Sequence, residues 1–504
     1  MSAQDVENQD ENNVEYVDGG TSFWDRVPCW VVSMVVHTIL LLIMVIITVD
    51  NEPKIQVATL VATPDEEPPV EEEIEEEEEI EEPIEIDTEV LDEVVTDVST
   101  EFTEVDVPIS DTVEDTDPIA NVEFDPNSLI QGEAMDNNAF TTRYTSGNGG
   151  LGGRGEMRKG AFTHGATPAS ERAVALGLLW ISRHQCADGS WNYNHTLANR
   201  CNCSNPGTLM KATNAATAMG LLPFLGCGQT HKEGQYKQNI YRGLMYLCKN
   251  MRQDKKCPGG SFHQSEGTMY AHGLATICLT EAYAMTKDKN LKMPAQLALN
   301  FIMSAQDPVG GGWRYQPRQA GDTSVVGWQM MALKSGYMGY LTVDANCAKN
   351  AMRFLDSVQA DSGATYGYLT PGNGPACTAI GLLCRMYYGW KHDHPALQRG
   401  VQFLSNKGPS GDPYYNYYAT QVLRQFDGEM WKKWNVKMRD QLVNTQTTAD
   451  KTSHEYGSWP AERGGHGSQG GRLYSTAMSV MTLEVYYRHM PIYGAQSTNA
   501  PPLE

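Results

Sequence analysis

The feature that most constrains this chain is a turn. From Gly310 to Tyr315 the sequence reads Gly-Gly-Gly-Trp-Arg-Tyr, between a helix-like stretch, Ala295 to Gln306, and a second one, Thr323 to Lys334. Three glycines in a row disfavour helix and strand alike, so the chain must reverse there. Asp322 stands just before the second stretch, where its carboxylate can accept from backbone N–H groups that a first helical turn leaves unpaired. The unit recurs. An aromatic–aliphatic pair falls late in each first helix: Trp180-Ile181, Tyr246-Leu247, Phe301-Ile302, Phe354-Leu355 and Phe403-Leu404, with a degenerate sixth copy at Gln441-Leu442. Successive spacings are 66, 55, 53, 49 and 38 residues. In four copies a glutamine follows the aliphatic residue by four positions: Gln185, Gln306, Gln359 and Gln446.

A repeat of roughly 50 residues with two helices per unit describes stacked helical hairpins. Six such hairpins can close on themselves. The fold expected is therefore all-α: an (α/α)6 toroid of six helical hairpins over residues 168–490, first helices outside and second helices inside.

Gln185-Cys186-Ala187-Asp188-Gly189-Ser190-Trp191, and Gln306 through Gly312-Trp313, resemble the Gln–Trp repeat of squalene cyclases and protein prenyltransferases. The resemblance covers residues 168–490 and implies a central cavity for an isoprenoid substrate. Fold alone does not carry activity. Squalene–hopene cyclases take their proton from an Asp-x-Asp-Asp-Thr motif; the matching segment here is Gln319-Ala320-Gly321-Asp322-Thr323, with glycine at the donor position. Prenyltransferases hold zinc with Asp-x-Cys and a later His. Here Asp322-Thr323-Ser324 and Tyr474-Ser475-Thr476 put serines where those ligands belong, and serine is a poor zinc ligand. Neither catalytic set is complete, and no cofactor is expected. Asp322 is the one catalytic candidate, otherwise a helix cap.

Tyr270, His272, Asp322, Trp328, Tyr414, Tyr417 and Tyr474 fall on the second helices and are the expected cavity wall; aromatic faces suit an apolar or cationic ligand. Alternatively, such rings are ordinary helix packing. Cys186, Cys201, Cys203 and Cys257 cluster in the loops of the first two repeats, with His195 among them. In an exported protein disulfides are the first expectation, ahead of free thiols and of a thiolate metal site. The glycine-rich loop from Gly464 to Arg472 opens a helix without the features of a nucleotide loop.

Charge divides the chain in two. Residues 1–142 hold 39 Asp/Glu against 2 Lys/Arg; of the whole chain's 62 acids and 38 bases, 23 and 36 remain for the rest. Cys29 to Val49 is a run of 21 residues without Asp, Glu, Lys or Arg, about 31 Å as a helix and enough to cross a bilayer. The expectation is an acidic cytoplasmic tail (1–28), a transmembrane helix (29–49), an acidic Pro/Glu-rich disordered stalk (50–146), a glycine-rich hinge (147–167), the ring (168–490) and a short tail (491–504). Arg26 ahead of the span, with Asp50 and Glu52 behind it, favours the amino terminus in the cytoplasm and the ring on the exported side of an inner membrane. Ser33 and His37 lie four apart on one face. Such a pair in an anchor followed by a Pro/Glu-rich stalk resembles the TonB energy-transducing proteins, which implies a proton-driven motor partner. The ring would then bind or process an apolar, isoprenoid-like ligand. Two alternatives stand beside this: a terpenoid enzyme with relocated catalytic residues, and a motor-coupled scaffold that grips another protein. A nucleic-acid partner is not expected.

Overall fold

The computed structural model describes residues 151–197, 201–461 and 465–493, with Thr38 alone ahead of them. The expectations for the anchor, for Ser33 and His37, for the acidic stalk and for the end of the tail lie outside the described residues. Among the described residues no helix is long and apolar enough to cross a membrane.

The helices in chain order begin with a short α1 (Arg154–Lys159), then α2 (Pro168–Arg183), α3 (Thr213–Gly226), α4 (Lys237–Asn250) and α5 (Thr268–Thr286). Next come α6 (Lys289–Ser304), α7 (Thr323–Met338), α8 (Ala345–Val358) and α9 (Pro375–Tyr388). The last are α10 (Pro395–Lys407), α11 (Pro413–Phe426), α12 (Glu429–Thr445), α13 (Gly465–Leu483) and α14 (Val485–Arg488). Caps fix several starts. The side chains of Thr167 and Ser170 cap α2 reciprocally, and Asp288, Asp322, Asp344 and Asp412 accept from first-turn N–H groups of α6, α7, α8 and α11. The central hairpin's helices are thus longer than the sequence suggested, starting at Lys289 and ending at Met338.

Six helices form a closed inner circle. In succession α3, α5, α7, α9, α11 and α13 each pack on the next, and α13 packs back on α3. Each of α2, α4, α6, α8, α10 and α12 lies outside and touches the two inner helices it bridges. The burial patterns explain the assignment. Outer helix α8 buries Cys347, Ala348, Ala351, Phe354, Leu355 and Val358, one stripe at helical spacing. Inner helix α3 is buried on every side from Ala215 to Gly226. The expected (α/α)6 toroid is present, carried by these contacts alone.

The Gln–Trp turns hold the circle together. The indoles of Trp191, Trp313 and Trp459 donate at 2.8 Å to Ile181 O, Ile302 O and Leu442 O, capping the outer helix just left. The glutamines work between repeats. Gln185 Nε2 donates to its own turn at Gly189 O and to Asn239 O in α4; Gln306 does the same with Gly311 O and Cys347 O in α8. Gln446 reaches Gly457 O and Ala173 O in α2, so the last repeat is tied to the first. The turn aromatic lands on a small residue of the inner helix: a Cβ on Gly220 would lie 2.5 Å from the Trp191 ring, and one on Gly381 2.4 Å from Tyr366.

The segment read as a glycine-rich hinge is partly ring. Arg154 of α1 is buried, its guanidinium gripping Glu281 through two bonds of 2.8 and 2.9 Å and donating to Leu225 O and Arg488 O. A buried guanidinium with that many acceptors cannot swing as a tether. Arg488 joins the same carboxylate at 3.4 Å and donates to Leu222 O. These contacts seal the end of the ring where the inner helices finish. The tail boundary also shifts, since Ile492 is buried and its N–H donates to Gln425 Oε1.

Burial alone would push the Glu281 carboxyl up, but Arg154 and Arg488 outweigh it and hold it at about 2, against an ordinary 4.5. A depressed carboxyl contributes stability above its unfolded pKa and loses it as pH falls towards the folded one. The ring should therefore lose about 3 kcal/mol from this group between pH 5 and 2. Unfolding measured across that range, in the wild type and in Glu281→Gln, checks it: the variant should start less stable and show a flatter acid limb.

Candidate functional site

The opposite end of the ring is open. Where the inner helices begin, a cavity of about 360 Å³ enters the circle. Its wall carries Tyr270 of α5, Trp328 of α7, Tyr414 of α11 and Tyr474 of α13, together with Tyr193 and Tyr315 from the Gln–Trp turns. The apolar part of the lining comes from Ala212, Ala215, Met219 and Leu274, and Glu266 is the carboxylate among the described lining residues. Trp328 stands 6.1 Å from Tyr414 and edge-on to Tyr418 at 5.5 Å. Tyr414 Oη donates to Ser324 O at 3.1 Å, and burial lifts the Tyr270 and Tyr414 hydroxyls well above their ordinary range, so they stay neutral. The arrangement offers π-faces and few charges.

Four of the seven residues expected in the wall are therefore together in it. His272 is not. Its Nδ1 accepts from the Phe262 N–H at 3.1 Å, which leaves Nε2–H to donate to Ala298 O at 3.0 Å, and burial pushes its pKa down to about 3. In other repeats threonine does this work: Thr217, Thr378 and Thr476 accept from the N–H of Trp191, Tyr366 and Trp459. His272 is a structural link between turn and helices. Tyr417 is also corrected. It stacks behind Trp328 at 5.7 Å and faces His489 at 6.3 Å, on the side of the sealed end.

Asp322 is fully buried beside the cavity rather than on its lining. Oδ1 accepts from Val325 N at 2.9 Å, as a cap should, while Oδ2 lies 3.8 Å from Arg314 Nε. A cap's N–H donors by themselves favour the ionised carboxylate. Instead, burial outweighs the N–H donors and Arg314, and pushes the carboxyl up to about 6. Arg314 lies against the rings of Tyr315 and Tyr368, whose hydroxyls meet at 2.6 Å, so wall residue Tyr315 and Asp322 share a neighbour.

Tyr193 and Tyr315 were not anticipated, though a signal existed. Each follows its turn tryptophan by two positions, as Tyr368 follows Tyr366. Among the described residues all ten cysteines are free thiols, so the disulfides expected of Cys186, Cys201, Cys203 and Cys257 are not formed. Cys201 and Cys203 converge instead with His184 and His454, the one grouping of metal-ligand type among the described residues, and Cys186 and Cys257 are not part of it.

No family model matches this chain, and no curated protein does. Among solved structures, the α-1,6-mannanase GH76A of Salegentibacter sp. HEL1_6 is similar at 10% identity and a TM-score of 0.45, covering 63% of this chain and 98% of its own. The glycoside hydrolase family 76 mannosidase Bt3792 of Bacteroides thetaiotaomicron VPI-5482 aligns at 9% identity and 0.45, over 64% of this chain and 98% of that one. The type II terpene cyclase MstE of Scytonema aligns at 11% and 0.42, over 63% and 97%. At these values the likenesses carry no weight for function, and the site must be read from its own residues.

Proposed function

We propose that the ring binds a predominantly apolar, isoprenoid-like ligand in the aromatic cavity. In this reading residues 29–49 anchor the chain in the inner membrane, the ring lies on the exported side, and Ser33 and His37 face a motor protein. One observation carries the reading: an open-ended cavity of about 360 Å³ has aromatic walls, an aliphatic lining and Glu266 as the carboxylate among its described lining residues. That size lies in the ordinary range of small-molecule sites.

Calorimetric titration of the full chain in detergent with farnesol and geranylgeraniol tests it. Saturable one-to-one binding is expected, weakened at least tenfold by Ala215→Leu, which fills the cavity from a buried wall position. Equal affinity in wild type and Ala215→Leu, or no saturation with either alcohol, would overturn it.

A second reading, an acid-catalysed enzyme, is favoured by Asp322 alone. With its carboxyl raised to about 6, it holds a proton through mildly acidic pH and could donate one. Turnover should then fall as pH rises through about 6, and Asp322→Asn should cost orders of magnitude in rate while leaving affinity intact. As a cap only, Asp322→Asn should lower stability by about 1 kcal/mol or less.

A further inference from the structure

We infer that His184, Cys201, Cys203 and His454 form a closed zinc site that staples the first repeat of the ring to the last. The four ligand atoms all lie within 4.8 Å of one another. His184 Nε2 stands 3.1 Å from Cys201 Sγ and 3.5 Å from Cys203 Sγ, and His454 Nδ1 stands 3.1 Å from Cys203 Sγ. A tetrahedral zinc with sulfur at about 2.3 Å and nitrogen at about 2.0 Å has ligand–ligand edges near 3.3–3.8 Å. The cluster is therefore close to the size the ion requires.

The surroundings prepare these residues as ligands. His184 Nδ1 is 2.6 Å from Trp180 O. A carbonyl only accepts, so Nδ1 carries the hydrogen and Nε2 turns its lone pair towards the two sulfurs, the usual support of a metal-bound imidazole. The Cys203 backbone N–H points at Cys201 Sγ from 3.3 Å, which suits a thiolate. Trp180 stacks on the His184 ring at 3.8 Å and fixes its plane. Two thiolates and two neutral imidazoles cancel the charge of Zn²⁺, so a neutral unit fits a place where His184, Cys201 and Cys203 are buried. The two thiol protons leave to solvent on binding.

His184 ends α2 and Cys201 and Cys203 lie in the loop after it, whereas His454 belongs to the sixth turn, 251 residues beyond Cys203. A second set of contacts holds the same two loops in register. Glu455 accepts from Ser204 N, and Arg472 bridges Ser204 O, Ser458 Oγ and Glu455. The ion would add a strong link where the circle closes. With four protein ligands no position is left for a substrate, so the site is structural.

Metal analysis of the full chain, purified from zinc-supplemented cells without chelator, is the first test. One zinc per chain is expected, and none in Cys201→Ser or Cys203→Ser, while Cys257→Ser keeps its full content. The cobalt-substituted protein should show thiolate-to-cobalt charge transfer and the visible bands of tetrahedral cobalt, which decides the question even if the serine variants fail to fold. Stripping the wild type with a chelator should lower its unfolding temperature, and zinc should restore it. Metal-free protein with intact thiols that takes up no cobalt, a Cys201–Cys203 disulfide in protein isolated anaerobically, or zinc retained in Cys203→Ser would overturn the inference.

Discussion

Replacing Arg154 with methionine is expected to destabilise the ring by about 3–5 kcal/mol. The change keeps most of the side chain's apolar volume, so the loss comes from what the guanidinium satisfies. Glu281 would lose two bonds of ordinary length and keep Arg488 at 3.4 Å, while Leu225 O and Arg488 O would lose a donor. Glu281, Leu225 and Arg488 are all buried. Arg154→Met with Glu281→Met should cost less than the sum of the two single changes, because removing both charges leaves no unpaired carboxylate. Chemical denaturation of the four proteins measures this. A cost below about 1 kcal/mol for Arg154→Met would mean that α1 is a loose appendage, as its glycine-rich sequence suggested.

Trp313→Ala carries a comparable expectation, about 3–5 kcal/mol. The ring is 1% exposed, and its indole caps Ile302 O at 2.8 Å. Truncation removes the packing and orphans that carbonyl together. Trp313→Phe separates the two, since it keeps most of the volume and loses the bond, and should cost about 1–3 kcal/mol. Gln306→Leu should fall in the same range, because Gly311 O and Cys347 O both depend on its amide. If Trp313→Ala unfolds like the wild type, the Gln–Trp turns are not what holds neighbouring repeats together.

The ring was legible because its determinants are local and repeated. In four of the six copies a glutamine marks the outer-to-inner reversal, and a repeat period fixes the architecture however weak each copy is. Roles set by distant residues were not legible. Arg154 reads as the edge of a linker until Glu281, 127 residues on, and Arg488, 334 residues on, are folded around it. His272 and Tyr417 sit on inner helices buried all round, where no amphipathic stripe marks the face towards the cavity. Cys201-x-Cys203 suggested a disulfide because His454, the partner that changes its chemistry, is a quarter of a thousand residues away. For Asp322 the motif gave position and capping correctly, but the balance between burial and N–H donors, which decides its proton, exists only in the folded ring.

The claim at the centre is that an apolar ligand occupies the aromatic cavity. Photolabelling of the full chain with a diazirine analogue of farnesol, followed by peptide mapping, tests it most directly. The label should fall on peptides carrying Tyr270, Leu274, Trp328 and Tyr474, disappear when unlabelled farnesol competes, and drop sharply in Ala215→Leu. Labelling confined to the outer helices, or cavity labelling that farnesol does not displace, would contradict it.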